Sequence, residues 1–390
     1  MTSAERSSPS HTRSSCFRKL ATSINAVLVS QREALGDRAF GALRLFKALA
    51  QAETNADHAD PALVELLQVI QQTPALRGLL GKYCVRANAS GLIDMSTLVG
   101  WLLFKANLDG TQSVLHALTR LGRARKIPLK HVVAIGALVL KHPVRIDSTA
   151  KLVPWEQISS SETKAVVQET LWETQNPYPT AALLRETTAP RSDVLSDSAE
   201  SPLFSATWDV RDLVRCLCLF GGAPHAVAQW TELPTWVPGS RVRFQYSIVS
   251  KVPPPLEWSA EAHKHFAPFY KRFLKLPDAQ KEKFRIALDR LRNANSRNPN
   301  EDRAIDLGIA LETLFLSDER GATGELRFNL ATRAARFLGK SSEERKDIFD
   351  RVQRLYDLRS RAVHRGVVEA QIKGTQTADF ISQGRCPEIC

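Results

Sequence analysis

Ile348, Val352, Leu355, Arg359 and Ala362 recur at three- and four-residue spacing, so they trace one face of a single helix near the end of the chain. Ser341 followed by Glu344 marks the start of that helix as a capping box. The stripe is apolar except at Arg359. A guanidinium on a core-facing stripe must meet a carboxylate, reach an interface or face a polyanion, because a buried unpaired charge is too costly to keep. The end of this chain must therefore be a packed helical unit that provides for one specific charge.

Three helices precede it. Phe284, Leu288, Leu291 and Asn295 follow helical spacing, and the polar run from Asn295 to Asn300 predicts a stop. The next helix, capped by Asn300 or Asp302, carries Ile305, Leu307, Ile309, Ala310, Leu311, Leu314, Phe315 and Leu316, apolar nearly all round and so central to a bundle. Asp306 and Glu312 interrupt its apolar surface, and each needs a cation or hydrogen-bond donors. A Gly321-x-x-Gly324 turn leads to a third helix built on Leu326, Leu330, Ala334 and Leu338, with Gly339 expected as a left-handed cap. Its outer face is basic, with Arg327, Arg333 and Arg336. Residues 277–368 thus read as a helical bundle.

Upstream, residues 1–16 are rich in Ser, Thr, Arg and His and read as a disordered tail that is not a secretory signal. From Cys16 to about Leu121 the pattern is helical, with Leu43, Leu45, Phe46 and Leu49, then Leu63, Leu66, Leu67 and Ile70, at core-facing spacing. Arg120, Arg123, Arg125, Lys126 and Lys130 form a basic cluster that either touches phosphate or is a solvated face. His131–Leu140, and less clearly Val144–Val153, fit strands. Residues 150–260 hold most of the tryptophans, Trp155, Trp172, Trp208, Trp230, Trp236 and Trp258, whose scatter favours core positions over base-stacking platforms. Val242, Phe244, Tyr246 and Ile248 alternate with polar residues as in a half-buried strand. Thr187 to Pro202 reads as an exposed loop. The whole is α+β and mostly α: a helical N-terminal and mixed α/β middle region over 17–276, the bundle, and a tail over 369–390.

Lys and Arg total 53 against 41 Asp and Glu, a formal charge of +12. That excess favours a polyanionic partner or serves solubility. Residues 301–370 carry equal numbers of basic and acidic residues, so the excess lies in residues 1–300. The six cysteines, Cys16, Cys84, Cys216, Cys218, Cys386 and Cys390, lack disulfide-framework or zinc spacing, and a reducing, cytoplasmic setting is the simplest reading. Cys216 and Cys218 with His263 and His265 match no standard metal site and read as solvent-facing polar residues, so neither metal nor cofactor is expected. No apolar run approaches the ~20 residues that span a bilayer, which argues against a membrane partner. A Gly-rich phosphate loop, a His-Glu-x-x-His helix and a Gly-x-Ser-x-Gly elbow are all missing from the sequence.

Three blocks carry a resemblance. They are Asp302-Arg303-Ala304-Ile305-Asp306-Leu307-Gly308-Ile309-Ala310-Leu311-Glu312-Thr313-Leu314-Phe315, Glu325-Leu326-Arg327-Phe328-Asn329-Leu330-Ala331, and Tyr356-Asp357-Leu358-Arg359-Ser360-Arg361-Ala362-Val363-His364-Arg365-Gly366. In this order, over roughly residues 280–367, the chain resembles the Apea-like branch of the HEPN superfamily, small four- or five-helix bundles of prokaryotic toxin, antiviral and RNA-processing systems. The superfamily motif is Arg, a polar residue, variable positions and His, places taken here by Arg359, Ser360 and His364. The family pattern sets Gly directly after the His, whereas Arg365 intervenes here before Gly366.

The resemblance implies a metal-independent endoribonuclease, acting as a homodimer on RNA, with Arg359 and His364 catalytic. Ser360, Arg361, Arg365, Glu312 and Asp306 are the supporting or RNA-binding candidates. A neutral imidazole, with a reference pKa near ~6.5, can take the proton of a ribose 2′-hydroxyl or return one to the leaving oxygen. Arg359 would brace the phosphate as charge builds, with a 2′,3′-cyclic phosphate and a 5′-hydroxyl as products. Residues five apart on a straight helix point about 140° apart. Either the helix therefore unwinds before Gly366, or two protomers combine their residues. In the enzyme, residues 17–276 would recognise a trigger, substrate or partner. The alternatives are a non-catalytic RNA-binding or dimerisation module, in which Arg359 and His364 serve packing or contact RNA without cutting it, and a protein–protein scaffold. Arg359 paired to Glu312 or Asp306 is compatible with catalysis as well, and His364 could simply serve the helix end.

Overall fold

The computed structural model describes residues 9–31, 59–86, 89–158, 178–199, 210–239, 245–246, 255–297, 299–316, 325–368, 371–372 and 375–376. The chain is α+β and mostly α. Its principal helices are α1 (Pro9–Ser30), α2 (Pro61–Gln72), α3 (Met95–Asp109), α4 (Thr111–Arg123), α5 (Val210–Leu217), α6 (Ala260–Leu274), α7 (Asp278–Ser296), α8 (Asn300–Phe315), α9 (Leu326–Leu338) and α10 (Ser342–Arg365). The strands are β1 (Tyr83–Arg86), β2 (Ala89–Leu92), β3 (Lys126–Gly136), β4 (Leu138–Val139), β5 (Val144–Arg145), β6 (Ala150–Pro154), β7 (Ala181–Pro190), β8 (Leu195–Ser196), β9 (His225–Glu232), β10 (Gln245–Tyr246) and β11 (Leu256–Glu257). Two compact units share them. The first holds Met1–His131, Glu186–Thr207 and Trp230–Arg243, and the second holds Val132–Arg185, Trp208–Gln229 and Phe244–Cys390.

In the first unit α2 begins where Asp60 accepts a hydrogen bond from the amide of Ala62 (2.9 Å), and α3 where Asp94 accepts from that of Thr97 (2.7 Å). Leu20, Ile24, Leu63, Leu66, Ile70, Leu98 and Leu102 are fully buried in one core. The periodicity through Ile70 thus marks core, while Leu43, Leu45, Phe46 and Leu49 lie outside the described residues. The helical reading to Leu121 misses the antiparallel pair β1–β2, onto which β8 adds. Four-residue apolar runs are too short for periodicity to separate strand from helix.

Thr187 to Pro202 is not an exposed loop as far as Ser196. It continues β7, makes one helical turn (Arg191–Val194) and enters β8, with Ala189, Val194 and Leu195 buried. Its polar residues fill the outward positions of an alternating strand, so low apolar content misled the reading.

The second unit holds residues 132–136, 181–185 and 225–229 of β3, β7 and β9 in a sheet of order β10-β9-β3-β7-β6-β5, with β5–β6 and β6–β7 antiparallel. The predicted strands at His131–Leu140 and Val144–Val153 fall on β3, β4, β5 and β6. Of Val242–Ile248 only Gln245–Tyr246 is described, as strand. Trp155, Trp230, Trp236 and Trp258 are buried; Trp172 and Trp208 lie outside the described residues. On α6, Phe266, Tyr270 and Phe273 stack in sequence at centroid distances of 5.9 and 6.5 Å. Asp212 of α5 accepts from Arg285 of α7 (2.8 Å) and from Arg215, which also reaches Asp289 of α7 (2.8 Å). Helices α7 to α10 belong to the same compact unit as this sheet.

Within the bundle α8 packs against α7 and α10, and α9 against α10. Leu330, Ala331, Ala334 and Val352 form one buried cluster, Ala304 and Leu358 another. Neither Asn300 nor Asp302 caps α8; Pro299 stands at that place without a side-chain bond. Gly339 is not left-handed, with φ −81°. Close approach demands glycine there instead, since a Cβ would stand 2.9 Å from the backbone N and Cα of Arg345. The turn from Gly321 to Gly324 lies outside the described residues.

Candidate functional site

The Arg359 stripe resolves into a specific pair. Nη2 of Arg359 lies 3.1 Å from Oε2 of Glu312, joining α10 to α8, and both side chains are about three-quarters covered, at 26% and 25% exposure. The guanidinium also lies over the ring of Tyr356, one turn earlier, at 5.7 Å. Gly308 makes this placement possible: a Cβ on it would collide with Cδ of Arg359 and stand 3.0 Å from Cγ. Nε of Arg359 is buried without a hydrogen-bond partner among the described residues. Burial pushes the Glu312 carboxyl above its ordinary 4.5, and the neighbouring Arg359 opposes that shift without cancelling it.

Asp306 does not belong to this pair. It is 1% exposed and faces α7 and its end, 3.1 Å from Nη1 of Arg290 and 3.2 Å from Nε of Arg297. The Arg290 contact is a hydrogen bond; the Arg297 approach to Oδ2 is close enough for charge compensation but is not aligned as one. Two carboxylates that interrupt the same helix thus serve different neighbours. Arg290, Arg297 and Gly308 were assigned no role by sequence reasoning, although a glycine in mid-helix marks a close approach.

His364 and Arg365 are exposed at the end of α10, while Ser360 and Arg361 are half-buried beside Arg359. The helix does not unwind before Gly366. It runs through Arg365 and stops at Gly366, which has φ +67° and whose amide still donates to the carbonyl of Ala362 at 3.1 Å. A left-handed glycine closes the last turn without loosening it, so Arg365 is accommodated as one more helical residue. On this regular helix Arg359 and His364 diverge by about 140°. One chain brings Arg359, Glu312 and Tyr356 together, and leaves His364 on a different face.

Cys216 and Cys218 are buried and so are not solvent-facing, and burial raises both thiols, Cys218 to about 12. His263 is half-buried and His265 pairs with Glu261 at 2.8 Å. Cys386 and Cys390 lie outside the described residues. Among the described residues no group of three or more His, Cys, Asp or Glu is placed to hold a metal ion, and no helix is long and apolar enough to cross a membrane. Comparison with protein-family models, with curated proteins and with solved structures gives no match for this chain.

Proposed function

We propose that the chain is a HEPN-type endoribonuclease whose active site is completed by a second copy, Arg359 of one protomer working with His364 of the other on the RNA 2′-hydroxyl and the adjoining phosphate. The observation that carries this reading is the unbroken course of α10 through Arg365, which keeps the two residues of one chain apart while leaving His364 accessible. Val363, one residue before His364, is exposed as well, so apolar surface adjoins the histidine that the second copy would approach. His364 would exchange the proton and Arg359 would stabilise charge on the phosphate. Glu312, Gly308 and Tyr356 would hold the guanidinium in place. No step calls for a metal. The setting we assign is a cytoplasmic antiviral or toxin system, with the first unit recognising a trigger or partner.

The Arg359–Glu312 pair favours a second reading, in which Arg359 only ties α8 to α10 and the bundle binds RNA or dimerises without cutting. Incubation of the intact protein with single-stranded RNA in EDTA separates the two. Cleavage to cyclic phosphate ends, abolished by His364→Ala with the thermal midpoint unchanged, is the outcome for the enzyme. Binding without cleavage across the pH range sinks it.

A further inference from the structure

We propose that the cleft at the C-terminal end of α4, within the first unit, binds a nucleoside phosphate through Arg120, Arg123 and Lys126. The cleft measures about 490 Å³, and those three cations line it together with His116, Pro128 and Trp236, without any carboxylate. Among the described residues none of the three forms an ion pair, although each is exposed and free to do so.

The bland explanation for basic residues at a helix C-terminus is that they serve its open carbonyls and dipole. Here that task is already done. Arg191 donates through Nη1 to the carbonyls of Leu121 (3.0 Å) and Gly122 (3.3 Å). The dipole at a helix end amounts to roughly half a charge, so three cations leave a clear positive excess.

Trp236 sharpens the geometry. Its side chain is buried, and Cζ of Arg120 sits over the ring 4.7 Å from its centre, a cation–π contact that holds the guanidinium at the cleft wall. The turn bearing Trp236 is itself pinned, since Trp101 Nε1 donates to the carbonyl of Thr235 at 3.1 Å. The volume falls in the usual ~300–1,000 Å³ range of small-molecule sites and exceeds what a bare phosphate fills. Pro128 and Arg120 line the cleft where a base could lie, and Arg123 and Lys126 offer charge to its phosphate.

Calorimetric titration of the intact protein tests this with AMP, adenosine, inorganic phosphate and a non-cleavable 2′-O-methyl pentanucleotide. AMP binding that weakens with salt, about tenfold tighter than adenosine or phosphate alone, identifies a free nucleotide. Binding of the pentanucleotide alone identifies the same unit within a strand. In either case Arg123→Glu with Lys126→Glu should lower affinity at least about tenfold, while Lys340→Glu with Lys346→Glu, an equal charge change just before and within the first turns of α10, should leave it unaltered. The proposal fails if neither AMP nor the pentanucleotide binds, if the cleft variant binds as the wild type does, or if phosphate binds as tightly as AMP. No arm reads RNA cleavage, so the ribonuclease proposal can fail without it.

Discussion

Arg359 of α10 crosses α8 directly over Gly308, its Cγ and Cβ at 3.0 and 3.2 Å from where a Cβ on that glycine would stand. The glycine is therefore a packing requirement for the Arg359–Glu312 pair, in a helix whose own propensity would prefer any ordinary residue.

Gly308→Ala separates the two effects. Alanine improves helix propensity by about 1 kcal/mol, whereas forcing a methyl into the Arg359 stem costs about 1–3 kcal/mol. We predict net destabilisation in chemical denaturation, and a neutral or stabilising effect of the same change in an Arg359→Ala background. A stabilised single variant would remove the close-approach account.

For Asp306 the asymmetry of burial decides the outcome. Its two arginines are about 40% exposed and can turn to water, but the carboxylate is 1% exposed and cannot. Removing both arginines should destabilise the bundle by about 3–5 kcal/mol, the range for an orphaned buried charge. Asp306→Asn added to that variant should recover much of the loss; no recovery would mean that lost arginine packing dominated.

Glu312 sets a pH dependence. Its folded pKa lies above the ordinary 4.5, so the folded state binds its proton more tightly than the unfolded chain does. That contribution is fully present below 4.5 and is lost as pH rises through the raised value. The stability of the wild type relative to Glu312→Gln should thus fall as pH rises from about 4.5 through the raised value. A difference that grows with pH would show that attraction to Arg359 outweighs burial.

The proposed two-protomer site predicts complementation. Arg359→Ala and His364→Ala proteins, each inactive on RNA, should regain about a quarter of wild-type activity when unfolded together and refolded as a mixture, because half the dimers then carry one intact site. Activity that stays at the level of the separate variants would place both residues in one chain's site or in none.

Much of the bundle was legible in the sequence because its signals are local. The capping box at Ser341 and Glu344, the apolar spacing of α7, α9 and α10 and the need of Arg359 for a partner all follow from residues within a few turns of one another. The sequence by itself determined that Asp306 and Glu312 on α8 each required a cation or hydrogen-bond donors. Only the tertiary structure decided which: Glu312 meets Arg359 of α10, whereas Asp306 meets Arg290 of α7 and Arg297 just past its end, because that choice depends on how three helices are rotated about their axes. Gly339 and the stretch from Thr187 show the same division. A glycine looks alike in a sequence whether it answers to φ or to a neighbour's backbone, and a polar strand looks like a loop until its partners are in place. Likewise the five-residue offset from Arg359 to His364 was written in the chain, but whether the helix would bend to close it rested on Gly366 ending α10 without unwinding the turn before it.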